Sequence, residues 1–177
     1  MLDRIEIYFK NFTLLDESAL KRIYEWRNMD YIRINMDNSD IFPYAEHEMF
    51  CKSLSLRKDK IYFEVSVDGN PCGVLDFVNI NQEQNTAESG FYVIEPYNNF
   101  SSAISRAANS VCLKLGLEKV VTHIHKTNEK AVLYNLIKLK GTYVGEDENS
   151  VYCEFITFPE YPEIDPFFQK YTIKIDL

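Results

Sequence analysis

Long apolar runs are missing from this sequence. No stretch approaches the ~20 consecutive apolar residues that a membrane-spanning helix needs, so no membrane segment is expected. Basic excess is missing too. Lysine and arginine number 19 against 27 acidic residues, a formal net charge of −8. That argues against a broad basic patch for nucleic acid or anionic lipid, although a local cluster can still grip a phosphate. Cysteine is sparse. The four, at Cys51, Cys72, Cys112 and Cys153, lie far apart and fit no zinc or redox spacing. They read as reduced, buried thiols of a cytoplasmic protein. The opening "MLDRIEIYFK" mixes charged and apolar residues and lacks the apolar core of a signal peptide. Repeats, low-complexity tracts and obvious linkers are absent as well.

What remains suits one folded domain over 1–177. The chain has 177 residues, 46% of them apolar and 14% aromatic, enough to bury a core. Ile5, Ile7 and Phe9 alternate with polar residues, which predicts a strand over 4–9. "LLDESALKRIYEWRN" predicts a helix capped by Asp16, with Ala19, Leu20, Ile23 and Trp26 on one face. "IFPYAEHEMFCKSL" predicts a second helix, starting near Pro43. "IYFEVSV", the turn "DGN" and "PCGVLDFVNI" predict a hairpin. "SGFYVIEP" reads as a further strand, stopped by Pro96. "SSAISRAANSVCLKLG" predicts a helix capped by Ser101 or Ser102, with Ile104, Ala107, Val111 and Leu115 inward and Gly116 past its end. "KVVTHIH" is a strand, a helix follows, and "GTYVGE" and "VYCEFITF" close the core as strands. The order predicts an α+β domain with a mixed central sheet flanked by helices. Its core spans about residues 3–158. The extension over 159–177 holds three prolines and a final alternating run, read as an edge strand or a cover.

The stretch "HIHKTNEKAVLYNLIKLKGTYVG" carries the chemistry. Asn128 occupies an N-cap position, and Gly141 closes the helix. At 100° steps from Ala131, the residues Leu139, Val132, Leu136, Leu133 and Ile137 fill an arc from about 80° to about 240°. Tyr134 falls near 300°, beside that arc. Its ring can pack on the domain edge while its hydroxyl reaches a cleft.

The pattern N-x-x-A-x-x-Y, here Asn128, Ala131 and Tyr134, followed by Gly141, resembles the last conserved block of the GNAT superfamily of acyl-CoA N-acyltransferases. The element order is similar too, over about residues 3–158. Where that family carries Gly-Phe, this chain has Gly141-Thr142. The resemblance implies acetyl-CoA as co-substrate, with Tyr134 as general acid near the coenzyme A sulfur. Asn128, the strand end at Val93 and Ile94, and the helix start at Ser101, Ser102 and Ala103 would meet the cofactor. A thiol titrates near 8.5 and a phenol near 10, so a hydrogen-bonding tyrosine can protonate a departing thiolate.

"YEWRNMDYIRINM" followed by "IFPYAEHEMF" resembles a GNAT branch that includes sugar-nucleotide N-acetyltransferases. The matching residues are Trp26, Arg27, Asn28, Met36, His47 and Phe50. The resemblance implies that Arg27 and His47 line the acceptor site. Arg33 joins them because a guanidinium binds phosphate in bidentate fashion. The expected acceptor is a small molecule, a UDP- or dTDP-linked amino sugar. A protein N-terminus is the alternative.

The resemblance breaks at the cofactor loop. The family carries Q/R-x-x-G-x-G/A, whose glycines let the backbone approach a pyrophosphate. Here the segment is "YNNFSSAISRA", without glycine. Serine hydroxyls can replace some of those contacts, and Arg106 can help. A non-catalytic binding module is the reading in which they do not. For the general base, Glu88 is the leading candidate, acting through water. Glu95, His123 and His125 are further ones. No third ligand stands at a telling spacing beside the two histidines, so no metal is expected. The aromatic tail would suit a homodimer contact.

Overall fold

The computed structural model describes residues 4–36 and 38–177. The start of the N-terminal segment and of the 1–177 domain, Met1–Asp3, and also Asp37, lie outside the described residues. The chain runs β1 (Ile5–Asn11), α1 (Glu17–Arg27), α2 (Asp30–Arg33), α3 (Tyr44–Ser53), β2 (Ile61–Val67), β3 (Asn70–Asn81) and β4 (Thr86–Val93). It continues through α4 (Ser101–Leu115), β5 (Lys119–His125), α5 (Glu129–Leu133), β6 (Thr142–Glu146), β7 (Ser150–Ile156), α6 (Pro166–Lys170) and β8 (Tyr171–Asp176). The eight strands form one sheet in the order β6-β7-β5-β4-β3-β2-β1-β8. The β4–β5 and β1–β8 pairs are parallel and the rest antiparallel, so the sheet is mixed, as expected.

Alternation sends each strand's residues to two faces, and helices cover both. On one face Ile7, Phe9, Phe63, Leu75 and Phe77 meet Ile104, Ala107 and Val111 of α4. Six of these side chains, Ile7, Phe9, Phe63, Ile104, Ala107 and Val111, are wholly inaccessible. Fully burying one such large apolar side chain is worth roughly 1.5–3 kcal/mol. The other face, at Val74, lies under Ile23, Trp26, Ile32, Cys51 and Leu54 from α1 to α3 and the segment after it. A smaller cluster of Ile124, Val151 and Cys153 receives Ala131, Val132 and Leu136. Phe155 packs against both this cluster and the α4 cluster, so α5 shares the α4 face. All four cysteines are buried and unbridged.

Local signals set many boundaries. Asp16 caps α1, accepting from the Ala19 amide at 2.8 Å. The β2–β3 turn places both Asp68 and Gly69 at positive φ, the type I′ geometry that matches strand twist. Gly116 adopts the left-handed cap after α4. The tail's alternating run is β8, an edge strand laid parallel to β1 from Ile5↔Tyr171 to Lys10↔Asp176.

Three expectations are corrected. Neither Ser101 nor Ser102 caps α4. A 3-10 turn over Glu95–Phe100, started by Pro96, runs straight into the helix, so both serines lie inside it and the N-cap position is Phe100. Gly141 does not supply the left-handed stop after α5; Lys140 does, at φ 58°. Gly141 is needed for space instead, because a Cβ there would come within 2.6 Å of the Phe155 ring. Leu133 and Ile137 do not face inward but are 57% and 70% exposed. The buried arc runs from about 0° to about 140°, through Ala131, Asn135, Leu139, Val132 and Leu136. Asn135 is accommodated inside because its side-chain amide donates to the Ala131 carbonyl, while its backbone carbonyl accepts from the Gly141 amide.

Candidate functional site

The site begins with a gap in the sheet. β4 and β5 pair only at Thr86↔Lys119, Ala87↔Val120 and Glu88↔Val121. Beyond Glu88 the two strands part, leaving Ser89–Val93 without a partner on that side. A 3.2 Å hydroxyl contact between Ser89 and Thr122 closes the base of the wedge. A parted parallel pair leaves backbone donors and acceptors along β4 for a ligand, because they must be satisfied by something.

The N-terminus of α4 and the α5 segment overlook the wedge on one sheet face. Asn128 caps α5, its side chain accepting from the Ala131 amide at 3.2 Å. Tyr134 ends α5 and opens a π turn over Tyr134–Lys138, in which the Leu139 amide donates to the Tyr134 carbonyl. Single π turns reorient a side chain within a helix, and they recur at functional sites. The Tyr134 hydroxyl donates to Ser102 Oγ at 3.3 Å and lies 3.4 Å from Ser105 Oγ. Ser105 donates in turn to the Ser101 carbonyl. Ser105 was missed in the sequence; its i,i+3 spacing from Ser102 is the signal that places both on one helical face.

The residues present fit an acetyl-CoA thioester and its pyrophosphate. The wedge offers a strand edge, and the first two turns of α4 offer hydroxyls at Ser101, Ser102 and Ser105. Glycine amides do not take part. The Tyr97 amide donates to Ile94, and the Ser101 amide to Asn98. Val93 is buried in the core, and the Ile94 amide is held by the Cys72 carbonyl, so their backbone path along the wedge is fixed. Ala103 is buried against the α4 core. Arg106 does not join this group. It forms ion pairs with Glu160 and Asp165 at the tail.

The opposite sheet face holds the acceptor candidates. Val74↔Tyr92, Asp76↔Gly90 and Val78↔Glu88 are cross-strand pairs, so Glu88, Gly90 and Tyr92 share the face that α1 to α3 cover at Val74. Past those helices the face is open. Glu88 lies 3.9 Å from His123 Nε2, and the Tyr152 ring lies tilted against that imidazole, centroids 4.5 Å apart. With Val121, Val144 and Glu154 they line a cleft of about 380 Å³. Gly90 leaves the floor bare beside Asp76, whose carboxylate would stand 3.1 Å from any Cβ there.

Arg27 and Arg33 form a cationic pair at the other end of that face. Arg27 reaches the Asn38 carbonyl and lies 5.5 Å over the Phe42 ring. Arg33 donates to the Ser39 carbonyl and pairs with Asp30. Burial, and in smaller part the Arg33 charge, hold Arg27 below the usual guanidinium range, against an opposing pull from Tyr92. Arg27 remains a cation throughout the working pH range. His47 lies elsewhere. It is buried among Tyr24, Phe42 and Tyr44, and its Nε2–H donates to the Leu20 carbonyl at 3.0 Å. It therefore ties α3 to α1 and does not line the open cleft. Glu95 is exposed at the head of the 3-10 turn, and its amide donates to the Tyr31 hydroxyl. Among the described residues no group of three or more His, Cys, Asp or Glu could hold a metal ion. No described helix is long and apolar enough to cross a membrane.

No protein-family model matches the chain. Among curated proteins it is similar to Acetyltransferase PseH of Campylobacter jejuni, 30% identical over 127 residues, covering 71% of this chain and 79% of the relative. Among solved structures it superposes on C. jejuni N-acetyltransferase PseH, including the complex with acetyl coenzyme A. The identity there is 28% and the TM-score 0.66, over 86% of this chain and 99% of that one. A spermidine N-acetyltransferase from Vibrio cholerae shares the fold, at TM-score 0.71 and 18% identity, over 87% of this chain and 96% of that one.

Proposed function

Because the chain belongs to the acetyl-CoA-dependent GNAT N-acetyltransferases, in the family of PseH, we propose that its acceptor is the amino group of a nucleotide-linked amino-deoxy sugar. The observation that supports this acceptor is the two-ended face of β4. Glu88 and Tyr92 are four residues apart on one face, about 13 Å at the rise of a strand. Carboxylates and His123 cluster at the first end. Arg27 and Arg33 stand near the second. An acceptor with an amine at one end and a diphosphate at the other matches that polarity.

Acetyl-CoA supplies an activated acyl thioester. Ser101, Ser102 and Ser105 hydroxyls serve its pyrophosphate and upper arm, Asn128 fixes the α5 start beside it, and Val93 and Ile94 hold the strand edge. Glu88 takes the proton of the incoming ammonium through water. As the new C–N bond replaces the C–S bond, Tyr134 would give its proton to the departing thiolate and be reprotonated by the second proton shed from the acylated nitrogen. Positioning amine and thioester together supplies much of the rate. His47 would act on the acceptor indirectly, by holding α1, which carries Arg27.

The test has two stages. Calorimetric titration with acetyl-CoA should give micromolar binding. Thiol release is then followed with UDP- and dTDP-linked amino sugars, N-terminal peptides and spermidine in parallel. Turnover with an amino sugar alone supports the proposal. Turnover with peptide or spermidine but no nucleotide sugar would overturn it. No acetyl-CoA binding up to millimolar by folded protein would favour a non-catalytic module.

A further inference from the structure

A polar stripe runs down α4, and its two halves have different partners. Counting 100° steps from Ser102, Ser105 falls at about −60°, Asn109 at about −20°, Arg106 at about 40° and Ser110 at about 80°. The upper members, Ser102 and Ser105, meet the Tyr134 hydroxyl. The lower three converge on one carboxylate of the tail. Glu160 Oε1 accepts from Arg106 Nη1 at 2.5 Å and from Asn109 Nδ2 at 2.9 Å. Glu160 Oε2 accepts from Ser110 Oγ at 2.6 Å. The Glu160 side chain is only 11% exposed, so these bonds replace water almost entirely.

The surroundings reinforce the clasp. Asn109 exchanges two hydrogen bonds with the Phe158 backbone, at 2.9 and 3.0 Å. The Arg106 guanidinium lies over the Phe158 and Phe167 rings, at 4.6 and 5.1 Å, and its second nitrogen pairs with Asp165. The rest of α4 is held by Ile104, Ala107, Val111 and Cys112. Such apolar contacts set how deep a helix sits but are not directional. They tolerate a roll about the helix axis. A roll of about 10° moves a hydroxyl lying about 5 Å from the axis by nearly 1 Å. Displacements of that size at a reacting centre can cost about 100-fold in rate.

We infer that Glu160 is a positioning residue: by holding Arg106, Asn109 and Ser110 it fixes the roll of α4 and thereby sets Ser102 and Ser105 against Tyr134. The consequence for catalysis rests on the reading that the first turn of α4 meets acetyl-CoA. The tail is then part of the cofactor site's mechanics although it touches no substrate. Its α6 and β8 also anchor the clasp, because β8 is stitched to β1 and Lys114 of α4 donates to the Ile175 carbonyl.

The test compares wild type, Glu160→Gln and Ser110→Ala in the full chain. Glutamine keeps the shape but offers an amide donor where a donor must be accepted. Calorimetry with coenzyme A, the two KM values and amide hydrogen exchange over residues 99–106 are measured. Glu160→Gln should weaken coenzyme A and raise the acetyl-CoA KM about tenfold, with the acceptor KM unchanged. Exchange over 101–106 should quicken while β2 and β3 stay protected. Ser110→Ala should do the same at about two- to threefold. Folded Glu160→Gln with unchanged coenzyme A affinity and unchanged exchange overturns the inference, as does an equal rise in both KM values. If Glu160→Gln does not fold, Ser110→Ala decides on the same criteria. If wild type itself does not bind coenzyme A, the cofactor reading fails separately, and exchange over 101–106 still decides the role of Glu160 in α4.

Discussion

Tyr134→Phe separates chemistry from architecture. The substitution removes one hydroxyl and keeps the ring. Its two contacts, 3.3 Å to Ser102 and 3.4 Å to Ser105, are longer than good O–H···O bonds. Each is therefore worth at most about 0.5 kcal/mol of stability, and the ring's packing is retained. For a chain of this size about 1 kcal/mol shifts Tm by roughly 2–4 °C, so the melt should move by less than about 4 °C. Catalysis should respond far more. A general acid contributes about 100- to 10,000-fold, and each tenfold is about 1.4 kcal/mol of barrier. Turnover should fall at least about tenfold, with coenzyme A affinity nearly unchanged. The assay is continuous thiol release at saturating acetyl-CoA and acceptor, beside a calorimetric titration with coenzyme A. Turnover within a factor of two of wild type would remove Tyr134 from the acid role. Parallel losses of turnover and coenzyme A affinity would recast it as a binding residue.

Three further outcomes follow from packing and titration. Gly73→Ala should be severe, because a Cβ there would lie 2.2 Å from the Tyr92 carbonyl oxygen of β4. Overpacking against backbone costs about 1–3 kcal/mol or more, and a thermal melt within about 2 °C of wild type would refute the close approach. Arg22→Ala should cost about 2 kcal/mol, since it strands the buried Glu64 carboxylate that Arg22 meets at 2.6 Å. Adding Glu64→Leu should recover much of the loss; no recovery in urea unfolding would deny the pairing argument. His47 gives a pH signature. Burial holds its pKa below the usual value, with the Leu20 carbonyl opposing in part. The unfolded chain protonates an ordinary histidine near 6.5, while the folded one resists. Its contribution is thus full above that pH and is lost as pH falls through and below it. Tm should decline from pH 7.5 to 5.5 in wild type and decline less in His47→Gln; equal slopes would refute the assignment.

Signals confined to a few residues were legible in the sequence. Asp16 and Asn128 announce themselves as caps because a short side chain can satisfy an amide two or three residues on. "DGN" reads as a turn because two positive-φ positions in a row favour Asp and Gly. The alternation of β1 to β3 and the element order point to a mixed α+β domain, whereas the placing of helices on both faces of the sheet emerges only in the structure. What could not be read was decided by contacts distant in sequence. The apolar residues of α5 outnumber those its partners can bury, so only packing against Ile124 and Val151 settled that Leu133 and Ile137 face outward. Ser101 and Ser102 looked like caps because nothing local announces a 3-10 turn that starts the helix early.

The candidate site divides in the same way. Spacing marks Asn128 as a cap and Tyr134 as an edge tyrosine, and their roles at the cofactor, like those of Ser101 and Ser102, come from the resemblance; Ser105 is not marked at all. Their meeting depends on α4 and α5 lying side by side over a wedge, and the wedge exists because β4 and β5 stop pairing after Glu88 and Val121. His47 and Arg106 look equally polar in the sequence. Tertiary structure buries one against Leu20 and commits the other to Glu160 and Asp165, because a charged or polar group taken from water must find its partner wherever the fold provides one.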